Sequence, residues 1–367
     1  MFKINKEFKD KVSNFIYSLK ISNFQYNIVN KNSTKAGKKI KLGFSTFALK
    51  SEYILGNISK YEYDYLNDWV KYLNNFQTSE YKNLPQNSYV DKEYYKLINK
   101  FEFDFLIKYG AKKILKKGNN KSRNTLVNEF ILAESKQAIS TLNQIGFKNT
   151  CNYIVPELDV DKIDNYINSL NWEYPWNAGA QVANLSVILQ TQDVPNKNEV
   201  RKIINNKIKL LANRDDGFYY QGNIKNYNEL INGSMKILTG LDWLGEEIHY
   251  PEKLINSCIR NKPESFGCDL VDIVYVLYFC SKQLNNKYKY KEISNFFSDI
   301  YEIIEKHYFP DIGGFSYYLN SSQKYYYGLK VSNGSNEPDL HGTLLLLWAI
   351  SLIDNFYGQE NFNILKP

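Results

Sequence analysis

The chain has 367 residues, of which 43% are hydrophobic and 23% charged, with a net charge of +7. That balance belongs to a folded globular protein and excludes a disordered or low-complexity chain. The positive charge is spread along the sequence instead of gathered in one tail, which favours an anionic over a cationic substrate.

Aromatic residues are abundant, with 31 Tyr and 21 Phe. AT-rich coding explains part of the Tyr, Lys, Asn and Ile excess. A concave pocket is another place for amphipathic rings. Cys151, Cys258, Cys268 and Cys280 show no CxxC spacing, so neither a zinc ribbon nor a disulfide framework is expected. The first residues, Met1 to Lys6, lack the apolar core of a signal peptide. The longest apolar run, Leu340 to Ile353, is short of the roughly 20 residues that span a bilayer. The expectation is a cytoplasmic protein without a membrane span. Lys112, Lys113, Lys116, Lys117, Lys121 and Arg123 form the densest basic run. With no nucleic-acid motif beside it, this run reads as a solvated loop, and no nucleic-acid partner is expected.

In chain order, residues 6–20 carry Phe8, Val12, Phe15, Ile16 and Leu19 at helical spacing, and 22–42 read as loop. Helices are predicted over 43–56, 59–77, 91–109 and 124–146. A regular rhythm follows, with helices over 158–170, 176–190, 197–212, 228–241, 251–260, 268–280, 287–308 and 341–353. Six of these, beginning near 43, 125, 176, 228, 268 and 341, are mostly apolar all round, and amphipathic helices lie between them. Alternating buried and half-buried helices are what an (α/α) toroid of about six hairpins requires. The predicted fold class is therefore all-α. An N-terminal helix and basic loop (1–42) would pack on a toroid domain (43–367), irregular in its N-terminal third. Period-two alternation is scarce, so no sheet is expected.

In such a toroid the inner helices run parallel and their N-termini converge on one face. Unpaired N–H groups and the positive dipole end favour anions there. The polar residues at these starts are the candidate site. On the third inner helix they are Trp176, Asn177 and Gln181, after Pro175 at the first turn. Asn228, Asn232 and Lys236 follow on the fourth at i, i+4 and i+8, where an interior Lys needs a partner. Asn228 serves equally as a helix N-cap. Asp269 and Asp272 open the fifth beside Cys268; two carboxylates can be acid and base, hold a metal, or cap. The sixth carries Asp339 and His341, the one histidine at an apolar helix start, whereas His249 and His307 lie in polar contexts read as exposed. Weaker signals are Ser45, Thr46, Glu129, Glu134 and Gln137. Glycine turns at Gly217-Phe218 and Gly313-Gly314-Phe315, with Tyr317 following, would set aromatic rings on the rim.

Gly313-Gly314-Phe315, His341 opening an apolar helix, and Cys268, Asp269 and Asp272 at a helix start together resemble the toroid superfamily of protein prenyltransferase β-subunits and terpenoid cyclases. The resemblance covers roughly residues 176–353. It implies zinc held by an Asp, a Cys and a His, here Cys268, Asp269 and His341. In that family the Asp stands two residues before the Cys, whereas here Asp269 follows Cys268 and position 266 is Phe. DxDD and DDxxD motifs are absent from the sequence. Similar helical barrels serve glycosidases, polysaccharide lyases and sugar epimerases, whose carboxylates, His and Tyr work in aromatic-lined clefts.

The leading expectation is acid/base chemistry on an acidic saccharide without a cofactor. Asp272, Asp269 and His341 would be catalytic, and Trp176, Asn177, Gln181, Asn228, Asn232, Lys236, Asp339 and Tyr317 would bind substrate. A zinc-dependent prenyltransferase- or cyclase-like enzyme is the alternative, and a non-catalytic toroid that binds a partner is a third reading.

Overall fold

The computed structural model describes residues 4–100 and 123–367. The chain is mostly helical. Its helices are α1 (Lys6–Ser18), α2 (Leu42–Ile54), α3 (Tyr63–Asn74), α4 (Lys92–Lys100), α5 (Arg123–Gln144), α6 (Val160–Ser169), α7 (Pro175–Thr191), α8 (Lys197–Leu211), α9 (Tyr227–Leu244), α10 (Pro251–Cys258), α11 (Gly267–Gln283), α12 (Tyr290–Glu305) and α13 (Leu340–Phe356). The basic run at 112–121 and the predicted helix beyond residue 100 lie outside the described residues.

Contrary to the expectation of no sheet, four antiparallel two-stranded ribbons occur among the described residues. They pair β1 (Lys20–Ser22) with β2 (Gln25–Tyr26), β3 (Gln77–Thr78) with β4 (Ser88–Tyr89), β5 (Tyr308–Phe309) with β6 (Gly314–Phe315), and β7 (Tyr325–Tyr326) with β8 (Leu329–Lys330). Strands this short carry too few residues to show a period.

The helices fall into two kinds. α2, α7, α9, α11 and α13 are buried along almost their whole length. α8 buries one stripe, Val200, Ile204, Ile208 and Leu211, and α12 another, Ile293, Phe296, Phe297, Ile300 and Ile304. Such spacing buries one side of a helix and leaves the other wet.

Contacts among the inner helices close on themselves: α2 touches α5, α5 touches α7, α7 touches α9, α9 touches α11, α11 touches α13, and α13 touches α2. Four of the six neighbouring pairs run parallel by their side-chain contacts. Gly179 meets Gly233 and Ser186 meets Gly240; Asn232 meets Asp269 and Lys236 meets Asp272; Tyr275 meets Trp348 and Tyr278 meets Asn355. Thr46 and Lys50 of α2 likewise meet Gln137 and Ser140 of α5. One hydrophobic core runs through all of this, from Phe8 of α1 to Leu365.

A repeated device links inner to outer helices. Asn196, Tyr250 and Lys289, the N-cap residues of α8, α10 and α12, all adopt left-handed backbone with φ of 52°, 51° and 50°. One left-handed residue turns the chain sharply, so the three hairpins share a geometry that their sequences do not.

The two ends of the helix assembly are covered differently. At the C-terminal ends, Asn363 N–H donates to Ile54 O at 3.0 Å, Lys366 N–H to Gln144 Oε1 at 2.7 Å, and Trp243 Nε1–H to Pro367 O at 2.7 Å. The tail is thus tied across the ends of α2, α5 and α9. At the N-terminal ends lies the segment 316–339. Its anchor is Asp339, the N-cap of α13, which accepts from Gly342 N (2.7 Å), Tyr317 N (2.7 Å) and Gln323 N (3.0 Å). Among the described residues, no helix is long and apolar enough to cross a membrane.

Candidate functional site

α11 opens without a side-chain cap, its N-cap being Phe266. Neither carboxylate of its first turns stands at the N-cap position. Asp269 accepts from Asn232 Nδ2 at 2.7 Å and from Asn228 Nδ2 at 3.5 Å, which ties α9 to α11. Asp272 is buried; its Oδ2 has no hydrogen-bond partner and lies 4.0 Å from Lys236 Nζ. Burial raises the Asp272 carboxyl to about 7, with Lys236 opposing and Asp269 adding to the rise. A carboxyl poised there exchanges protons near neutrality, which general acid–base work needs.

Asn228 is not the cap of α9. Asn226 is, accepting from the backbone N–H of Asn228 and Glu229. That leaves the Asn228, Asn232 and Lys236 row intact and turned toward α11.

His341 opens the way into the middle. Its ring is stacked between Phe47, at 4.4 Å between centroids, and Tyr317, at 5.4 Å, and its Nδ1 is buried without a partner. Burial lowers its pKa to about 3, helped by the charges of Lys236 and Lys50. The imidazole is therefore neutral at ordinary pH, a hydrogen-bonding group and not a cation. Lys236 stands on α9 and Lys50 on α2, neither of which neighbours the other in the cycle. Both lysines nevertheless bear on His341, which lies between them in electrostatic terms.

Lys50 is a residue that sequence reasoning missed, and Lys136 of α5 is another. Lys50 is 5% exposed and reaches only Ser140 Oγ, at 3.5 Å. Burial lowers its ammonium to about 7, with Lys236 adding to the effect. Lys136 is pushed well below the usual lysine range by burial, then by Lys50 and Lys236. The sequence carries no clear signal for either: Leu49-Lys50-Ser51-Glu52 and Glu134-Ser135-Lys136-Gln137 are stretches in which a lysine is ordinarily solvated.

Further polar atoms without partners come from every inner helix but α2: Glu134 Oε2 of α5, Gln181 Oε1 and Asn184 Nδ2 of α7, Asn232 Oδ1 and Ser234 Oγ of α9, Tyr275 OH of α11 and Trp348 Nε1 of α13. Native proteins leave few such groups, because each costs its desolvation without return unless water or a ligand completes it. Glu134 Oε1 accepts from Tyr326 OH at 2.8 Å, and burial followed by Asp91 raises its carboxyl well above the usual range.

The other predicted site residues divide. Gln181 is buried and Tyr317 half-buried beside Cys268, to which it is hydrogen-bonded. Trp176 is 36% exposed at the N-terminal end of α7, its N–H donating to Glu229 Oε1 at 3.1 Å, and Asn177 is exposed near Glu129. Asp339 spends both oxygens on backbone N–H groups, as described above. Burial and the carboxylate of Asp272 push the Cys268 thiol up to about 12. Among the described residues, no three His, Cys, Asp or Glu side chains gather closely enough to hold a metal ion, and that includes Cys268, Asp269 and His341.

Two expectations are corrected. His307 is fully buried, not exposed; its Nδ1–H donates to Ser316 O at 2.8 Å and fixes the segment after β6. Phe218 and Phe315 are fully buried in the core, not on a rim, because the glycine turns before them fold the rings inward. Two open surface recesses, of about 290 and 230 Å³, lie elsewhere, beside Tyr17–Asn23 and between Leu238 and Gln283. Neither includes a predicted site residue.

A scan against protein-family models, a search of curated proteins and a search of solved structures each return no match.

Proposed function

We propose that the closed cycle of six inner helices is an (α/α) toroid, and that its interior binds an acidic saccharide and acts on it by acid/base chemistry. The observation that carries this reading is Asp272: a buried carboxyl brought to about 7, with one oxygen unpartnered, set 4.0 Å from a lysine and one turn from a second carboxylate. Asp272 transfers the proton. Asp269 orients Asn228 and Asn232, whose amide faces hydrogen-bond sugar hydroxyls. His341, neutral between two aromatic rings, donates or accepts one further hydrogen bond. Trp176 and Tyr317 supply ring faces on which a pyranose stacks.

Incubation with a panel of acidic oligosaccharides, read by mass spectrometry for cleavage, elimination or epimerisation, tests the proposal. Asp272→Asn should lower kcat by about 100-fold or more with KM little changed, the range for loss of a general acid or base. Turnover that survives this substitution would remove Asp272 from the chemistry. Zinc bound one per chain and lost in Cys268→Ser would favour the prenyltransferase-like alternative instead.

A further inference from the structure

The proposed chemistry leaves Lys50 and Lys136 without a task. They stand on α2 and α5, which meet where Lys50 reaches Ser140, one turn after Lys136, and Lys236 stands on α9 beside Asp272; each of the three also bears electrostatically on another. Their partners are few. Lys50 Nζ has Ser140 Oγ at 3.5 Å, and Lys236 Nζ has Met235 Sδ at 3.4 Å and Asp272 Oδ2 at 4.0 Å. Lys136 takes part in no hydrogen bond or ion pair among the described residues. Among the described residues, Asp272 is the one carboxylate within 4.0 Å of any of these three amino groups. Two exposed lysines of this chain are better supplied: Lys39 has Glu93 at 3.2 Å and Lys92 has Glu80 at 2.8 Å. Gathering like charges in an interior is unfavourable, and a ligand of opposite charge is what offsets it.

We propose that Lys50, Lys136 and Lys236 form a subsite for a doubly charged oxyanion, the phosphoryl group of a phosphorylated saccharide. This deepens the saccharide reading above and rests on it for the sugar, not for the anion. Burial and mutual repulsion hold Lys50 and Lys136 below the usual lysine range, so an entering anion draws protons onto them as it binds; with all three lysines protonated against Asp272 the excess is two positive charges. A phosphate monoester carries close to two negative charges at neutral pH, whereas a uronate carries one. Lys ammonium groups suit phosphate as point charges with three donors each. Hydroxyl and amide groups accompany them: Ser140 beside Lys50, and Gln137, whose Nε2–H donates to Thr46 Oγ1 at 2.9 Å, one turn before Ser140.

Isothermal titration of the full chain with inorganic phosphate, sulfate and acetate at matched ionic strength tests the subsite. Sulfate stays doubly charged across the pH range and separates charge from protonation of the ligand. Phosphate and sulfate should bind saturably at one per chain, and acetate at least tenfold more weakly. Lys50→Met and Lys136→Met should each weaken sulfate tenfold or more, while Lys39→Met on the surface leaves it unchanged. Phosphate should also protect Lys50 and Lys136 of the unaltered chain from acetylation, a readout that needs no variant to fold. Absence of saturable binding, acetate as tight as sulfate, or no protection of either lysine would overturn the proposal. Sulfate binding without turnover of any saccharide would keep the subsite and lose the catalytic reading. Turnover of carboxylated sugars without sulfate binding would do the reverse.

Discussion

The two faces of α9 make opposite uses of one helix. On one, Gly233 and Gly240 press against α7: a Cβ on Gly233 would come 2.7 Å from the Pro175 backbone carbon, and one on Gly240 would come 3.0 Å from Ser186 Oγ. On the other, Asn232 faces α11, and Lys236 stands between the two, its Cβ close to Gly179 of α7 and its Nζ 4.0 Å from an unpartnered carboxylate oxygen of Asp272. The glycine seam is close-packed backbone, which is what stability asks for. The polar face carries groups that cost stability as they stand. A helix that is apolar all round in sequence can thus divide its labour by face, and the residues that fit packing worst mark the functional side.

Substitutions on the two faces should therefore differ in sign as well as size. The largest expected effect is Gly233→Val. Its branched side chain has only main chain and a proline ring to displace, so a loss of about 3 kcal/mol or more is expected in chemical denaturation, at the upper end for overpacking. A loss under about 1 kcal/mol would show that the seam yields and that the contrast between the faces is overstated.

Asp339→Ala comes next. It removes a helix cap and strands the N–H groups of Tyr317 and Gln323, with an expected cost of about 2–3 kcal/mol. Asp339→Asn keeps acceptor oxygen for one side and should recover part of it. Full stability in the alanine variant would mean that segment 316–339 is held by its tyrosines instead.

On the polar face, the sign can be read from pH. The Asp272 carboxyl rises from its ordinary 3.8 to about 7 on folding, so its contribution to stability is fully present below about 4 and is lost as pH rises to about 7. Lys50 falls from 10.5 to about 7, so its contribution is present above about 10.5 and is lost as pH falls to about 7. Both groups weaken the fold most near neutrality. Asp272→Asn should flatten the stability profile between about pH 4 and 7, by on the order of 2 kcal/mol, and Lys50→Met should flatten it between about 7 and 10.5. Asp339, raised to about 7 by its own burial, keeps some slope in the acid arm of both variants. Unchanged profiles would mean that water already solvates the two groups.

Most helices were legible in the sequence because their apolar residues keep helical spacing over three turns or more. α8 and α12 show this best, with bounds within a few residues of expectation. The candidate residues on α9 and α11 were legible because amides and carboxylates on apolar helices stand out. Lys50 and Lys136 were not, because a lysine is common and only its neighbours across the assembly reveal that it points inward. His307 misled for the same reason in reverse: Glu305 and Lys306 before it are polar, but the ring is fully buried and bonded to Ser316 just after β6. The left-handed links at Tyr250 and Lys289 carry no residue signal, since the turn geometry imposes a conformation those side chains do not favour.

The smallest expected effect on stability is one that binding can still read. Trp176 is 36% exposed and its hydrogen bond to Glu229 uses the backbone N–H, so alanine there keeps the bond and loses little burial. Trp176→Ala should change unfolding free energy by less than about 0.5 kcal/mol, the range for surface positions. If its ring stacks on a saccharide at the mouth, affinity for that saccharide should fall roughly fivefold, the equivalent of about 1 kcal/mol of aromatic contact. Sulfate binding, which needs only the lysines deeper in, should stay the same. A loss of both affinities together would place Trp176 in the support of the interior, and a loss of neither would leave the exposed ring without a ligand to face.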